Sequence, residues 1–216
     1  NVARFLPQAF YYFNAYAQAK KLGKADNLTI CVPSGNFGNI TAGLFAQRMG
    51  LPIKHFIAAN NANDIFYNYL LSGIYSPKAS IQTIANAMDV GDPSNFARIL
   101  DLYKSSHAEI CNHISGATYS DDEIAATMKK CYEQTSYVLD PHGACGYQAL
   151  KDNLKEGETG VFLETAHPAK FKEKVDAILS TDIEIPTRLA DFMKGKKQSL
   201  EMTADFSAFK QFLLNE

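Results

Sequence analysis

No two of the four cysteines stand at a C-x-x-C spacing; Cys31, Cys111, Cys131 and Cys145 are scattered, as are the five histidines. A zinc site is therefore not expected, and the thiols read as reduced, buried residues of a cytoplasmic protein. A basic excess is also missing. Lys and Arg number 21 against 23 Asp and Glu, a formal net charge of −2, whereas general nucleic-acid or membrane-surface binding favours the opposite balance. No apolar run is long enough to cross a bilayer, and no segment reads as a signal peptide. Internal repeats and low-complexity tracts are absent. So is an initiator methionine: Asn1 leads directly into a helical pattern, the expected mark of a piece of a longer protein.

What remains is a chain of 216 residues, ample for one buried core. Phe5, Ala9, Tyr12, Phe13 and Tyr16 recur at spacings of three and four, which predicts an amphipathic helix over 4–23. A strand over 28–32, a helix over 38–49 and a strand over 53–58 follow. Asn63 and Asp64 then cap a helix that Gly73 stops. Strand, helix, strand, helix with short joints is the pattern of a parallel sheet with helices on its faces. Residues 74–95 form a long irregular stretch, of the kind that is usually functional or covers something. Further helices are predicted after Asp92-Pro93-Ser94, after the capping box Ser120-Asp121-Asp122-Glu123, and after Asp140-Pro141. A short strand over 159–163 and a helix over 169–179 complete the regular part. The last 35 or so residues are more polar, with a basic stretch at 194–197 and an amphipathic piece at 206–214.

Two constellations carry chemistry. In Ser34-Gly35-Asn36-Phe37-Gly38-Asn39 a glycine-bearing turn joins a strand to a helix. Glycine allows positive φ and close approach to the backbone, and the helix start offers unpaired N–H donors. There is no Gly-Lys-Ser/Thr, and one glycine of the dinucleotide fingerprint is missing. The alternatives are an ordinary turn and a cradle for a small phosphate ester. The second constellation is Glu164-Thr165-Ala166-His167-Pro168-Ala169-Lys170. Thr165 stands at a strand end, where open parallel sheets bind ligands, or caps the next helix. His167 reads as a turn residue and Lys170 as a solvated one unless a site recruits them.

Five blocks, VPSGNFGNITAGLFAQRMGLPI, AANNANDIFYNYL, NAMDVGDPSNFARI, DPHGACGYQAL and ETAHPAKF, in this order resemble the threonine synthase family of pyridoxal-phosphate enzymes, in its bacterial and fungal branch. The resemblance covers roughly residues 1–180 and implies the tryptophan-synthase-β type of fold, PLP fold type II, a three-layer αβα arrangement. It implies conversion of O-phospho-L-homoserine and water into L-threonine and phosphate. Ser34, Gly35, Asn36, Phe37 and Gly38 match the loop that holds the phosphate of pyridoxal 5'-phosphate, and Thr165 matches the hydroxyl that meets the pyridine nitrogen. Asn39, His167 and Lys170 fall where the substrate is expected. The family's Schiff-base lysine has no counterpart here, since only Lys20, Lys21 and Lys24 precede the glycine loop and none stands in its context. The expectation is a C-terminal portion, inactive alone, with its partner in a missing N-terminal half. Residues 1–180 form the cofactor-phosphate-binding portion, and 181–216 an extension packing on the same domain. A serine or threonine dehydratase shares the glycine loop but not the later blocks; a homologue that has lost its chemistry is the other alternative.

Overall fold

The computed structural model describes residues 2–196 and 198–215 and divides into two compact units, Asn1–Ile183 and Glu184–Glu216. The first unit holds a four-stranded parallel sheet in the order β3-β2-β1-β4. Its strands are β1 (Leu28–Pro33), β2 (His55–Asn60), β3 (Ile114–Thr118) and β4 (Thr159–Phe162). Every residue of β1 is buried, as expected of a strand covered on both faces.

Alternation along the strands sorts the core into two layers. Leu28, Ile30, Val32, Phe56 and Ala58 belong to one apolar cluster, with Phe5, Tyr12, Ile40, Leu44 and Phe66. Cys31, Ile57 and Ala59 belong to the other, with Met128, Ala144, Cys145, Ala149 and Val175. The first cluster draws on α1 (Val2–Phe5), α2 (Ala9–Lys21), α3 (Gly38–Arg48), α4 (Ile65–Ser72), α5 (Phe96–Leu102) and α6 (His107–His113). The second draws on α7 (Asp121–Thr135), α8 (Pro141–Asn153) and α9 (Lys172–Leu179). Three αβα layers result.

The helix expected over 4–23 is interrupted by a 3-10 turn at Leu6–Gln8, because Pro7 has no N–H to continue the α ladder. The helix after Asp92-Pro93-Ser94 begins only at Phe96, and the Ser94 N–H is given to Asn36 Oδ1 at 2.7 Å. The helix over 169–179 opens as a 3-10 turn, Pro168–Phe171. Helix α6 and strand β3 were not foreseen; β3 is an edge of the described sheet and mostly half-buried, so its sequence carries little period. At α7 the capping box forms as read.

The second unit contains α10 (Thr187–Met193) and α11 (Phe206–Leu214). Asp205 caps α11 by accepting the Ala208 N–H at 2.8 Å. In the basic stretch Lys194 pairs with Asp191, and Lys197 lies outside the described residues. Among the described residues no helix is long and apolar enough to cross a membrane.

Candidate functional site

The chain runs outward from β1 to β2 and β3, then returns to place β4 on the other side of β1. The strand order therefore reverses between β1 and β4, and the crevice beyond their carboxyl ends is the preferred ligand position in such sheets. Both constellations sit there. A cleft of about 1850 Å³ is lined by Gly35, Asn36, Phe37, Gly38 and Asn39 from the first loop. Thr165, Ala166 and Lys170 line it from the second, and Ala87, Met88, Asn95 and Arg98 also contribute.

The first loop is fixed by its own polar groups. Ser34 is fully buried; its N–H donates to Ala59 O at 2.9 Å and its carbonyl accepts Asn60 Nδ2 at 3.0 Å. Its hydroxyl lies 3.2 Å from both Val32 O and Asn39 Oδ1, so the side chain faces the protein and does not line the cleft. Asn39 spends its amide internally, donating to Pro33 O at 2.8 Å and accepting the Ile40 N–H at 2.9 Å. Asn36 is stitched to the neighbouring stretch, accepting from Ser94 through Oδ1 and from Asn95 Nδ2 through its carbonyl at 2.8 Å. With these groups engaged, what the loop presents is its backbone and the Asn36 side-chain amide. The main-chain N–H groups of residues 35–39 have no acceptor among the described residues, and they open α3 at its positive end.

The glycines serve differently from expectation. Neither has positive φ; the left-handed residue is Phe37, at φ 61° and ψ 15°. That conformation costs an L-residue roughly 1–2 kcal/mol. Burial of the ring against Phe66, with centroids 4.5 Å apart, offsets it by about 1.5–3 kcal/mol. Gly35 is glycine because a Cβ there would fall 2.7 Å from Met88 Cα and 2.8 Å from Ala87 O. The stretch 74–95 thus packs directly on the loop. Asp89 holds that stretch in place, accepting from Thr83, Asn61 and Asn63.

On the second loop Thr165 is exposed to the cleft, and the helix cap falls instead to His167. His167 Nδ1 accepts the Ala169 N–H at 3.1 Å, and the residue does not line the cleft. Lys170 does line it, with Nζ 5.4 Å from the Phe171 ring centroid and no ion pair to a described residue. Sequence reading missed the groups beside Thr165. His142 Nδ1 lies 2.6 Å from Asp140 Oδ1, His142 Nε2 accepts the Ala87 N–H at 3.1 Å, and Glu164 Oε1 accepts the Asp140 N–H at 3.2 Å. Burial, and then the charge of Asp140, push the Glu164 carboxyl up to about 8. The only sequence signal was Asp140 two places before His142, which a helix cap already explained.

Chemically, the arrangement suits a small phosphate ester. Backbone donors stand at one side of the cleft, a free hydroxyl at the other, and no carboxylate on the glycine loop opposes an anion. No group of three or more His, Cys, Asp or Glu among the described residues could hold a metal ion.

Comparison with known proteins bears on the same residues. The model of a pyridoxal-phosphate dependent enzyme family matches residues 7–165, and the model "Threonine synthase, C-terminal" matches residues 143–213. Threonine synthase of Haemophilus influenzae is 47% identical over 214 residues, covering 99% of this chain and 50% of its own. The crystal structure of threonine synthase from Escherichia coli superposes with a TM-score of 0.86 at 42% identity, over 100% of this chain and 50% of the other. The PLP-bound threonine synthase from Brucella melitensis superposes at 0.88 and 33% identity, over 100% of this chain and 51% of the other. The chain thus spans about half the length of the relatives it matches. These matches show that the chain belongs to the pyridoxal-phosphate dependent enzyme family, on its threonine synthase branch.

Proposed function

We propose that this chain is the part of a threonine synthase that grips the cofactor, in an enzyme converting O-phospho-L-homoserine and water into L-threonine and phosphate. The observation that carries the reading is the row of N–H groups over residues 35–39, which have no acceptor among the described residues, in a loop that lines the cleft. Pyridoxal phosphate, when bound, supplies an electron-withdrawing ring for breaking bonds next to the amino-bearing carbon. Gly35, Asn36, Phe37 and Gly38 hold its phosphate through the main chain, with Ser34 anchoring the loop from below. Thr165 presents its hydroxyl to the ring nitrogen. A neutral hydroxyl, unlike a carboxylate, leaves that nitrogen without a strong pull on a proton. The Asn39 N–H and the Lys170 ammonium serve the substrate's phosphate; His167 supports them as a cap.

The Schiff-base lysine and the facing wall of the cleft belong, in this reading, to the half of the relatives' length that this chain does not cover. The match of residues 143–213 to the threonine synthase C-terminal model favours this branch over a dehydratase. Four unpaired cysteines suit a reducing compartment, the cytoplasm. The test is to assay the purified chain for threonine formation from O-phospho-L-homoserine, alone and co-expressed with the uncovered half of a relative. Activity is expected only in combination, and catalysis by the chain alone would overturn the assignment.

A further inference from the structure

Glu164, one residue ahead of Thr165, closes onto the start of α8. Its Oε1 accepts the Asp140 N–H at 3.2 Å, and its Oε2 lies against Gly143, where no Cβ could stand. The two carboxyl groups are close enough for the charge of Asp140 to act on Glu164. Asp140 Oδ2 and Glu164 Oε2 are both buried, and neither has a conventional donor among the described residues. Two carboxylates placed so, away from water, do not both stay ionised. One proton between them turns repulsion into a charge-assisted hydrogen bond and satisfies both orphaned oxygens.

The remaining donors decide which residue carries the proton. Asp140 Oδ1 receives the His142 N–H at 2.8 Å and the His142 imidazole at 2.6 Å. Because His142 Nε2 accepts from Ala87 N–H, the ring proton is on Nδ1 and points at Asp140. Asp140 also caps α8, where the helix dipole favours negative charge. Glu164 has one amide donor only. We propose that Asp140 and Glu164 form a one-proton pair, Glu164 the acid and Asp140 the carboxylate, and that this pair is a positioning device. It keeps the Thr165-bearing strand end docked on α8 and the adjoining cleft wall uncharged.

The purpose rests on the reading of Thr165 as the contact to the ring nitrogen; the proton itself does not. An ionised Glu164 beside Thr165 would draw a proton onto a nearby ring nitrogen, whereas the acid form does not. The other titratable groups around the pair are His142 on α8 and Tyr137 in the segment before it, whose phenol is raised by burial and then by the charge of Glu164. Since the Glu164 carboxyl is pushed up to about 8, the pair keeps its proton through neutral pH. Above that the two charges repel, and Glu164 lifts from the helix with its neighbour.

Carbon-13 NMR of the chain labelled at glutamate carboxyls, with amide spectra across roughly pH 4 to 9.5, tests this without any cofactor. A Glu164 midpoint near 8 is expected, with the Thr165 amide moving at the same midpoint. In Glu164→Gln, which keeps the neutral shape, the Thr165 amide should stay still. In Asp140→Asn, which keeps the cap, the Glu164 midpoint should fall towards the ordinary range. A midpoint at the ordinary glutamate value in the unmodified chain would overturn the proposal. So would a Thr165 amide that ignores the titration, or one that moves equally in Glu164→Gln.

Discussion

Gly35 shows how the packing of a single residue can differ from the reason its sequence context suggests. Its spacing suggests a positive φ, yet φ is not positive, and its missing side chain makes room for the backbone of Ala87 and Met88. Gly35→Ala should therefore push the 74–95 stretch off the loop. In the loaded enzyme the expected loss in pyridoxal-phosphate affinity is about tenfold or more, the worth of one or two charge-assisted bonds. A titration followed by cofactor fluorescence would show it, and unchanged affinity would mean that the stretch yields freely. Thr165→Val, which keeps shape and removes the hydroxyl, should slow turnover more than it weakens cofactor retention; a steady-state assay beside the same titration separates the two. Gly43 sits under the Tyr12 and Phe56 rings, with Tyr12 Cε1 2.5 Å and Phe56 Cε1 2.8 Å from an added Cβ. Gly43→Ala should cost about 1–3 kcal/mol by overpacking, read from the urea midpoint.

Elements were legible where their ends are chemical. Ser120 and Glu123 form their reciprocal cap, and Asp140 with Pro141 starts α8, because caps act within one helical turn. Ser120→Ala should lower stability by about 1 kcal/mol without touching the cleft, visible as a shifted denaturant midpoint at unchanged slope. The 74–95 stretch reads from sequence as irregular and of the kind that is usually functional or covers something, without its contacts. Its order comes from Asp89, which binds Thr83 of the same stretch and Asn61 and Asn63 from the end of β2 onward, and from Lys174 Nζ, which donates to Ile84 O at 3.1 Å. Such partners lie too far apart in sequence for local pattern to join them. Asp89→Ala leaves the Thr83 N–H and hydroxyl without an acceptor, while the Asn61 and Asn63 amides keep others, and should cost roughly 2 kcal/mol or more. Hydrogen exchange should then rise across 81–90 while β1 stays protected; equal protection in both forms would count against the clamp.

For the molecule as a whole, the Asp140–Glu164 pair gives stability a pH dependence of definite sign. The folded chain keeps a proton on Glu164 up to about 8, whereas the unfolded chain releases it near the ordinary value of 4.5. The stabilisation is thus fully present below about 4.5 and is lost as pH rises through about 8. Denaturant midpoints across that window should decline in the unmodified chain and decline less in Glu164→Gln. An identical slope in both would show that the proton is not where the buried oxygens require it.

Taken alone, the order of residues determined the alternation of strands and helices, the parallel sheet and the caps of α7 and α8, since each is set by period or by contacts within a few positions; the expected Asn63-Asp64 cap of α4 makes no side-chain hydrogen bond. Five ordered blocks likewise sufficed to place the chain in its family. Only the folded chain decided that β4 returns beside β1, with Thr29 opposite Gly160 and Cys31 opposite Phe162, bringing Thr165 and Gly35 to one cleft. It also decided that Ser34 and His167 turn away from that cleft, that Phe37 bears the left-handed turn, and that Glu164 meets Asp140. These outcomes depend on how two helical layers pack against one sheet, and packing energy between distant segments leaves no period in the sequence to be read.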